Sequence, residues 1–178
     1  MILVTCGTNE QPFDRLVSAA RSLDSERLVV QYGSSTVPHG PGEWLDFVSF
    51  EELSSLMQQA SVVISHAGVG SIILARRCGV VPLVVPRRLR LDEAVDDHQL
   101  PVARRLHECG IVRLVEDETT LPEAVRTAVA GRRPPESAVA LPGADALAAD
   151  VRAAIDAVAV RRRRRMRLAR LTVRRASR

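Results

Sequence analysis

The chain of 178 residues is 46% apolar but only 3% aromatic, which suits one domain with an aliphatic core. It contains no lysine, and this absence excludes a P-loop nucleotide site and Schiff-base chemistry. Residues 1–160 carry 15 arginines and all 21 acidic side chains, whereas residues 161–178 carry ten arginines and no acid. The alkaline pI therefore belongs to the C-terminal segment.

The first half of the chain alternates apolar strand patterns with helical ones. Strands are predicted over residues 1–6, 28–32, 45–48 and 62–65. Helices are predicted over residues 12–20 and 51–60. Pro12 suits the first turn of its helix, and the segment 34–42, rich in Pro, Gly and Ser, is predicted to be a loop.

The second half repeats this alternation. Gly68–Gly70 turns into a helix that reaches Cys78, with Gly79 as its cap. Strands are predicted over residues 80–85 and 111–115, and helices over residues 99–109 and 119–130, with Thr120 near an N-cap. Residues 87–97 form a charged loop after Pro86. The pattern predicts an α/β domain with a Rossmann-like, doubly wound parallel sheet.

The three cysteines stand singly, without a CxxC pair or the Cys/His spacing of a metal site. We predict that they are small buried side chains in a reducing cytosol: Cys6, Cys78 and Cys109. No basic leader precedes the first apolar run, and no run reaches the roughly 18 residues of a membrane span. We expect a cytosolic protein, or one at a membrane surface.

The C-terminal part differs from the α/β pattern of residues 1–130. Residues 131–143 are rich in Pro, Arg and Ser and are predicted to be a linker. Residues 144–160 place apolar side chains at helical spacing and predict an amphipathic helix. The Arg-rich tail, residues 161–178, is compatible with a solvated segment, an anionic membrane surface or an acidic partner. Nucleic acid is the least favoured ligand because no stacking aromatic residues accompany the arginines.

The strongest local motif is residues 65–71, SHAGVGS, between a strand and a helix. Its glycines allow a ligand to approach the backbone, and free N–H groups at a helix start attract phosphate. His66 and Ser71 add polar side chains, although a tight structural turn also needs glycine. A dinucleotide fingerprint is not met, because Ile73 stands where a small residue is required.

A second polar cluster, Asp96-Asp97-His98-Gln99, precedes a predicted helix. Its acceptors and amide donors suit a polyhydroxylated ligand. The same residues suit a helix N-terminus, where acidic side chains cap the chain and complement the helix dipole. Both interpretations can hold together if an aspartate caps the helix while His98 and Gln99 face a ligand.

Four segments in order, residues 4–14, 64–71, 84–88 and 97–99, resemble the glycosyltransferase family 28 C-terminal domain. The likeness covers residues 1–130 and extends to the small subunits of bacterial two-component exopolysaccharide glycosyltransferases and to the lipid-linked GlcNAc transferase of eukaryotic N-glycan assembly. It implies the C-terminal half of a GT-B glycosyltransferase that binds a UDP-sugar. It further implies inverting transfer of a hexose, uronic acid or N-acetylhexosamine, without a metal or other cofactor.

The resemblance also implies partners. The acceptor half would be a separate membrane-anchored subunit, and the acceptor a polyprenyl-diphosphate-linked saccharide at the inner face of the cell membrane. The site residues that it implies are Gly68, Gly70 and Ser71 for the diphosphate with His66 beside them, Gln99 and His98 for the donor sugar, and Gly7 and Thr8 as the facing loop. In the resulting mechanism the helix start at Gly68–Ser71 would stabilise the departing UDP, helped by Arg87 or Arg88.

Two positions depart from the family pattern. Leu74 stands where related transferases often have an acidic residue for the uridine ribose, and Asn9 stands where they usually have histidine. Asparagine cannot act as a general base, so Glu10 or a residue of the partner is the candidate for that role. The principal alternative is a non-catalytic accessory subunit. A sugar-nucleotide epimerase would need both halves of a GT-B enzyme in one chain, which 178 residues do not supply.

Overall fold

The computed structural model describes residues 1–36, 40–97 and 99–131. The strands are β1 (Ile2–Thr5), β2 (Leu28–Gln31), β3 (Glu43–Leu45), β4 (Val62–His66), β5 (Leu83–Val85) and β6 (Arg113–Leu114). The helices are α1 (Asp14–Ala20), α2 (Phe50–Gln59), α3 (Val69–Arg77), α4 (Gln99–Glu108) and α5 (Leu121–Ala130). Short 3-10 helices cover Leu89–Leu91 and Glu118–Thr120. His98, the predicted amphipathic helix, the Arg-rich tail and the predicted linker beyond Gly131 lie outside the described residues.

All six strands pair in parallel, in the order β3-β2-β1-β4-β5-β6. The strand order reverses between β1 and β4, so the carboxyl ends of these two strands border a topological switch point, where such sheets bind ligands. The predicted Rossmann-like, doubly wound parallel sheet is confirmed.

Both faces of the sheet are buried, which explains the continuously apolar strands. Ile2 and Val4 of β1 pack in one core with residues of α1 and α5, including Leu16 and Leu121. Leu3, between them, points to the opposite face and packs with residues of α2 and α3. Alternate side chains of the same strand thus enter opposite cores.

Several predicted boundaries were wrong, each for a local reason. β3 spans Glu43–Leu45 rather than residues 45–48, because the chain leaves the sheet before Phe47. β5 begins only at Leu83, since the Val80 N–H bonds to the Ala75 carbonyl and closes the end of α3. The last strand pairs only at Arg113–Leu114.

The start of α1 also differs from the prediction. The helix begins at Asp14 rather than Pro12, and the Phe13 carbonyl accepts the first helical hydrogen bonds from the N–H groups of Leu16 and Val17. The predicted end of α3 is confirmed, because Gly79 follows the helix with φ 76°. Within the described part of the chain, none of the helices has the length and apolarity needed to cross a membrane.

The cysteine prediction holds for one residue only. Cys6 is buried in the core, and burial raises the pKa of its thiol to about 12, so it carries no thiolate. Cys78 is half-buried and Cys109 is exposed, which corrects the expectation that all three are buried. Cys109 lies at the end of α4, where its side chain leaves the apolar stripe that packs on the sheet.

Candidate functional site

A cleft of about 170 Å³ opens at the carboxyl ends of β1, β2 and β4. It is lined by Thr5, Gly7, Thr8, Gln31, Phe47, Val48, Leu53, His66, Gly70 and Ser71. The lining combines an apolar group, Phe47, Val48 and Leu53, with polar groups of the loops after β1 and β4. Five of the predicted site residues are brought together here: Gly7, Thr8, His66, Gly70 and Ser71.

The imidazole ring of His66 is held between two glycines. A Cβ atom added to Gly68 would lie 2.0 Å from His66 Nε2, and one added to Gly7 would lie 2.4 Å from His66 Cε1. Gly7 also has φ 77°, a conformation that side chains rarely adopt. Gly68 has φ −71°, so only the contact with the ring requires glycine there. The two glycines therefore make room for His66.

His66 is an uncharged group at neutral pH. Burial and, second, the positive charge of Arg87 lower the pKa of His66 from 6.5 to about 4. Its Nδ1 atom is buried and has no hydrogen-bond partner among the described residues. A neutral imidazole at this position can exchange a hydrogen bond with a ligand, but it adds no positive charge.

The N-terminus of α3 provides the electropositive part of the cleft. Gly68 is the N-cap, and the first N–H groups of the helix have no carbonyl four residues earlier to bond within it. The first turn carries no acidic side chain that would occupy these donors. Ser71, in the same turn, is nearly buried and lines the cleft. Such a helix start favours an anionic ligand.

Gln31 fixes the loop that faces α3. Its Oε1 accepts hydrogen bonds from Thr5 Oγ1 at 2.6 Å and from the Gly7 N–H at 3.1 Å. Its Nε2 donates to the carbonyls of Gly7 at 3.1 Å and Asp46 at 2.8 Å. The buried amide therefore holds both backbone groups of Gly7, in the turn with positive φ. This clamp joins the ends of β1 and β3.

Sequence reasoning missed half of the cleft lining. Thr5 and Gln31 are the polar last residues of otherwise apolar strands, a pattern that marks the carboxyl edge of the sheet. Phe47 and Val48 had no such signal, because an apolar pair after Leu45 is equally typical of a strand.

Arg87 is buried behind the loop after β1. It is 2% exposed, and its guanidinium donates only to backbone carbonyls, those of Cys6, Gln11, Pro12 and Glu93. Its Nε atom is buried without a hydrogen-bond partner among the described residues, and direct contact of Arg87 with a donor stays a prediction.

The second predicted cluster serves the same loop. Gln99 is nearly buried, and its Oε1 accepts a hydrogen bond from the Arg87 N–H at 3.1 Å. Asp97 Oδ1 accepts one from the Leu89 N–H at 2.8 Å, inside the loop between β5 and α4. His98 lies outside the described residues. This part of the cluster shapes the loop, so its contact with a sugar stays a prediction.

Three further residues can be located: Leu74 and Asn9, which depart from the family pattern, and Glu10, the candidate base. Leu74 is buried in the core on α3 and does not reach the cleft. Asn9 forms a turn, in which its Oδ1 accepts a hydrogen bond from the Gln11 N–H. Glu10 is exposed on the loop after β1 and does not line the cleft.

Solved structures with the same arrangement confirm the fold. The calicheamicin glycosyltransferase CalG4 matches with a TM-score of 0.55 and 20% identity, over 73% of this chain and 34% of that chain. The solution structure of ALG13 matches with a TM-score of 0.52 and 22% identity, over 88% of this chain and 96% of that chain. At these identities the likeness concerns the fold alone.

Similar sequences include two proteins described as UDP-N-acetylglucosamine transferase subunit ALG13. The Yarrowia lipolytica protein is 32% identical over 123 residues, covering 60% of this chain and 60% of that protein. The Homo sapiens protein is 34% identical over 123 residues, covering 61% of this chain and 10% of that protein. The chain thus spans less than two thirds of either relative. The sequence profile of the glycosyltransferase family 28 C-terminal domain matches residues 1–148, and the chain therefore belongs to this family.

Proposed function

We propose that this chain is the donor-binding subunit of a glycosyltransferase, and that a UDP-sugar occupies the cleft at the switch point. The observation that carries the proposal is the pairing of an apolar wall with a helix N-terminus in one cleft of a family 28 domain. The base and the diphosphate of a nucleotide sugar would each meet a surface of matching chemistry there.

The two kinds of lining distinguish the parts of the donor. Phe47, Val48 and Leu53 form a surface on which a planar base can pack out of water. The diphosphate would lie at the start of α3, where the backbone N–H groups and Ser71 can donate hydrogen bonds. UDP-N-acetylglucosamine is the first donor to examine, because relatives of 30% identity or more are named as transferases of that sugar nucleotide.

The chemistry follows from charge. As the sugar is transferred, negative charge develops on the departing UDP, and the N-terminus of α3 would stabilise that charge. His66 would contribute a hydrogen bond as a neutral group. Inverting transfer also needs a base for the acceptor hydroxyl. Glu10, exposed at the same edge of the sheet, or a residue of the partner would supply that base.

The cleft is too small to enclose a donor by itself. Its volume of about 170 Å³ lies below the roughly 300–1,000 Å³ of pockets that bury a small ligand. We therefore propose that a second, membrane-anchored polypeptide supplies the opposite wall and binds a lipid-linked saccharide acceptor. The chain would then act at the inner face of the cell membrane through this partner.

The exposed apolar side chains indicate where the partner would bind. Four of the seven large exposed hydrophobic side chains in the described residues follow β4 or β5, at the edge that holds the cleft: Val69, Leu89, Leu91 and Val95. The exposed charged side chains of the loop after β5 are three aspartates and one arginine, so the exposed part of the loop is acidic: Asp92, Asp96, Asp97 and Arg90. This acidic rim disfavours an anionic lipid surface and favours a protein partner.

The proposed donor site predicts two separable losses of affinity. Phe47→Ala should weaken both uridine and UDP about tenfold, because both ligands lose the packing of the base. Ser71→Ala should weaken UDP but not uridine, because only the diphosphate reaches the start of α3. Calorimetric titration of uridine, UMP, UDP and UDP-sugars would measure this. Equal effects of Ser71→Ala on uridine and UDP would contradict the assigned orientation.

The proposed partner surface predicts a different phenotype. Val95→Asp replaces a side chain that is 74% exposed, so folding and UDP affinity should be unchanged. Affinity for the partner subunit should fall about tenfold or more, because a charge would be buried at the interface. The matched control is Val129→Asp, at an exposed site of α5. Equal partner affinity of the two variants, measured by biolayer interferometry, would count against this surface.

A non-catalytic accessory subunit is the alternative function. It predicts no UDP binding by the chain either alone or with the co-expressed partner, and normal transfer in complexes that carry Ser71→Ala. The proposed donor subunit predicts the reverse in both measurements, so the two functions are separated by one titration and one activity assay.

A further inference from the structure

Arg87 is a buried cation that bonds to both ends of one loop. Its Nη2 donates to the carbonyl of Cys6 at 2.9 Å, and its Nη1 donates to the carbonyls of Gln11 at 2.9 Å and Pro12 at 3.2 Å. Residues 6–12 are the loop after β1, which presents Gly7 and Thr8 to the cleft. One guanidinium therefore pins the beginning and the end of this loop.

Other contacts place the guanidinium itself. Its Nη1 also donates to the Glu93 carbonyl at 2.7 Å, and its Cζ lies 4.6 Å from the centroid of the Phe13 ring. The backbone N–H of Arg87 is held by Gln99 at the start of α4. The loop after β5 and the first residue of α4 thus determine where Arg87 meets the loop after β1.

The geometry requires arginine rather than any other cation. A guanidinium is planar and has five N–H donors in a rigid fork, so it can bridge carbonyls that face it from different directions. A lysine ammonium at the end of a flexible chain cannot span the same set. A cation at 2% exposure is costly to bury, and packing alone would not favour it over an apolar side chain of similar size.

The position of this charge matters for an anion in the cleft. The guanidinium donates to the carbonyl of Cys6, the neighbour of Gly7, and after burial its positive charge is the second cause that lowers the pKa of His66. The Arg87 Nε atom is buried without a hydrogen-bond partner in the described residues, so part of the donor set is not committed to the fold. In a medium of low dielectric constant such a charge attracts a diphosphate without touching it.

We propose that Arg87 is a positioning residue of the donor cleft, which sets the loop after β1 opposite α3 and contributes a positive charge behind it. This inference rests on the proposed donor function. It assigns to Arg87 two effects that can be separated: the fork holds Gly7 and Thr8 in place, and the charge favours the diphosphate part of the ligand.

The experiment compares Arg87→Lys, Arg87→Met and the exposed control Arg104→Met in the full chain. Calorimetry measures uridine and UDP affinity, and NMR measures the titration midpoint of His66. Arg87→Met should weaken UDP about tenfold more than uridine and should raise the His66 midpoint from about 4 toward 6.5. Arg87→Lys should keep the low midpoint while losing affinity for both ligands. Arg104→Met should match the wild type in every measurement.

A second measurement tests the inference in the wild-type chain and therefore does not depend on whether Arg87→Met folds. In the wild-type chain, UDP should shift the Arg87 Nε–H resonance, whereas uridine should leave it in place. Wild-type UDP affinity in Arg87→Lys, or an unshifted Nε–H resonance on UDP binding, would overturn the inference and leave the donor site intact. Absence of UDP binding by the wild-type chain with its partner would overturn the proposed function as well.

Discussion

Replacing Gly68 by alanine should remove most UDP binding and destabilise the domain by about 1–3 kcal/mol. The added Cβ would lie 2.0 Å from His66 Nε2, so the imidazole ring must move. Gly7 lies against the same ring, where an added Cβ would be 2.4 Å from His66 Cε1, so both glycines limit where the ring can move. Calorimetry should show at least about a tenfold loss of UDP affinity, and urea unfolding should show the loss of stability.

The matched control removes the ring instead of the glycine. In the double variant His66→Ala/Gly68→Ala, the alanine at position 68 has no imidazole to displace, and φ −71° at this position suits any residue. Its unfolding free energy should equal that of His66→Ala alone, which a double-mutant cycle would show. Wild-type stability and UDP affinity in Gly68→Ala would refute the packing of the His66 ring against the two glycines.

Replacing Arg15 by methionine should destabilise the domain by about 3–5 kcal/mol, because it would leave a buried carboxylate unpaired. Arg15 donates to both carboxylate oxygens of Glu93, at 2.9 and 2.8 Å, and to Glu118 at 2.7 Å. The side chains of Arg15 and Glu93 are only 12% and 6% exposed. Urea unfolding monitored by circular dichroism would measure the change.

The same substitution should loosen the loop after β5. Glu93 Oε2 also accepts a hydrogen bond from the Arg88 N–H, and Arg15 donates to the Pro86 carbonyl, so the ion pair ties the beginning and the middle of that loop to α1. Hydrogen exchange should accelerate in residues 86–97 more than in β1. Arg104→Met, which breaks an exposed pair with Glu116, should leave the unfolding midpoint unchanged. Equal midpoints for both variants would disprove the buried role.

The order of strands and helices could be predicted from the chain because each element carries its own periodic signal. Leu28–Gln31 and Val62–His66 are apolar on both faces, as buried parallel strands require. Gly79 marks the end of α3 through a conformation that glycine adopts without strain. The loop after β4 was also visible, since a glycine-rich turn between a strand and a helix is a local pattern.

The failures of prediction fall where a residue serves a distant contact. Phe47 and Val48 are apolar, as strand residues often are, but they line the cleft. The last backbone bonds to the neighbouring segment are those that the carbonyls of Leu45 and Asp46 accept from Tyr32 and Gly33. Nothing in the sequence indicated that Gln99 Oε1 accepts a hydrogen bond from the backbone N–H of Arg87, a contact that leaves its predicted sugar contact untested. Local propensity cannot reveal a partner twelve or more residues away.

The fold class and five of the residues that meet in the cleft could be predicted from local patterns in the chain. The contacts of the glycines and of Arg87 could not, because they depend on the packing of distant segments. Gly7 and Gly68 lie 61 positions apart, and their common function, making room for one ring, exists only where β1 pairs with β4. Arg87 can bridge Cys6 and Gln11 only because the parallel sheet brings the ends of β1 and β5 to the same edge.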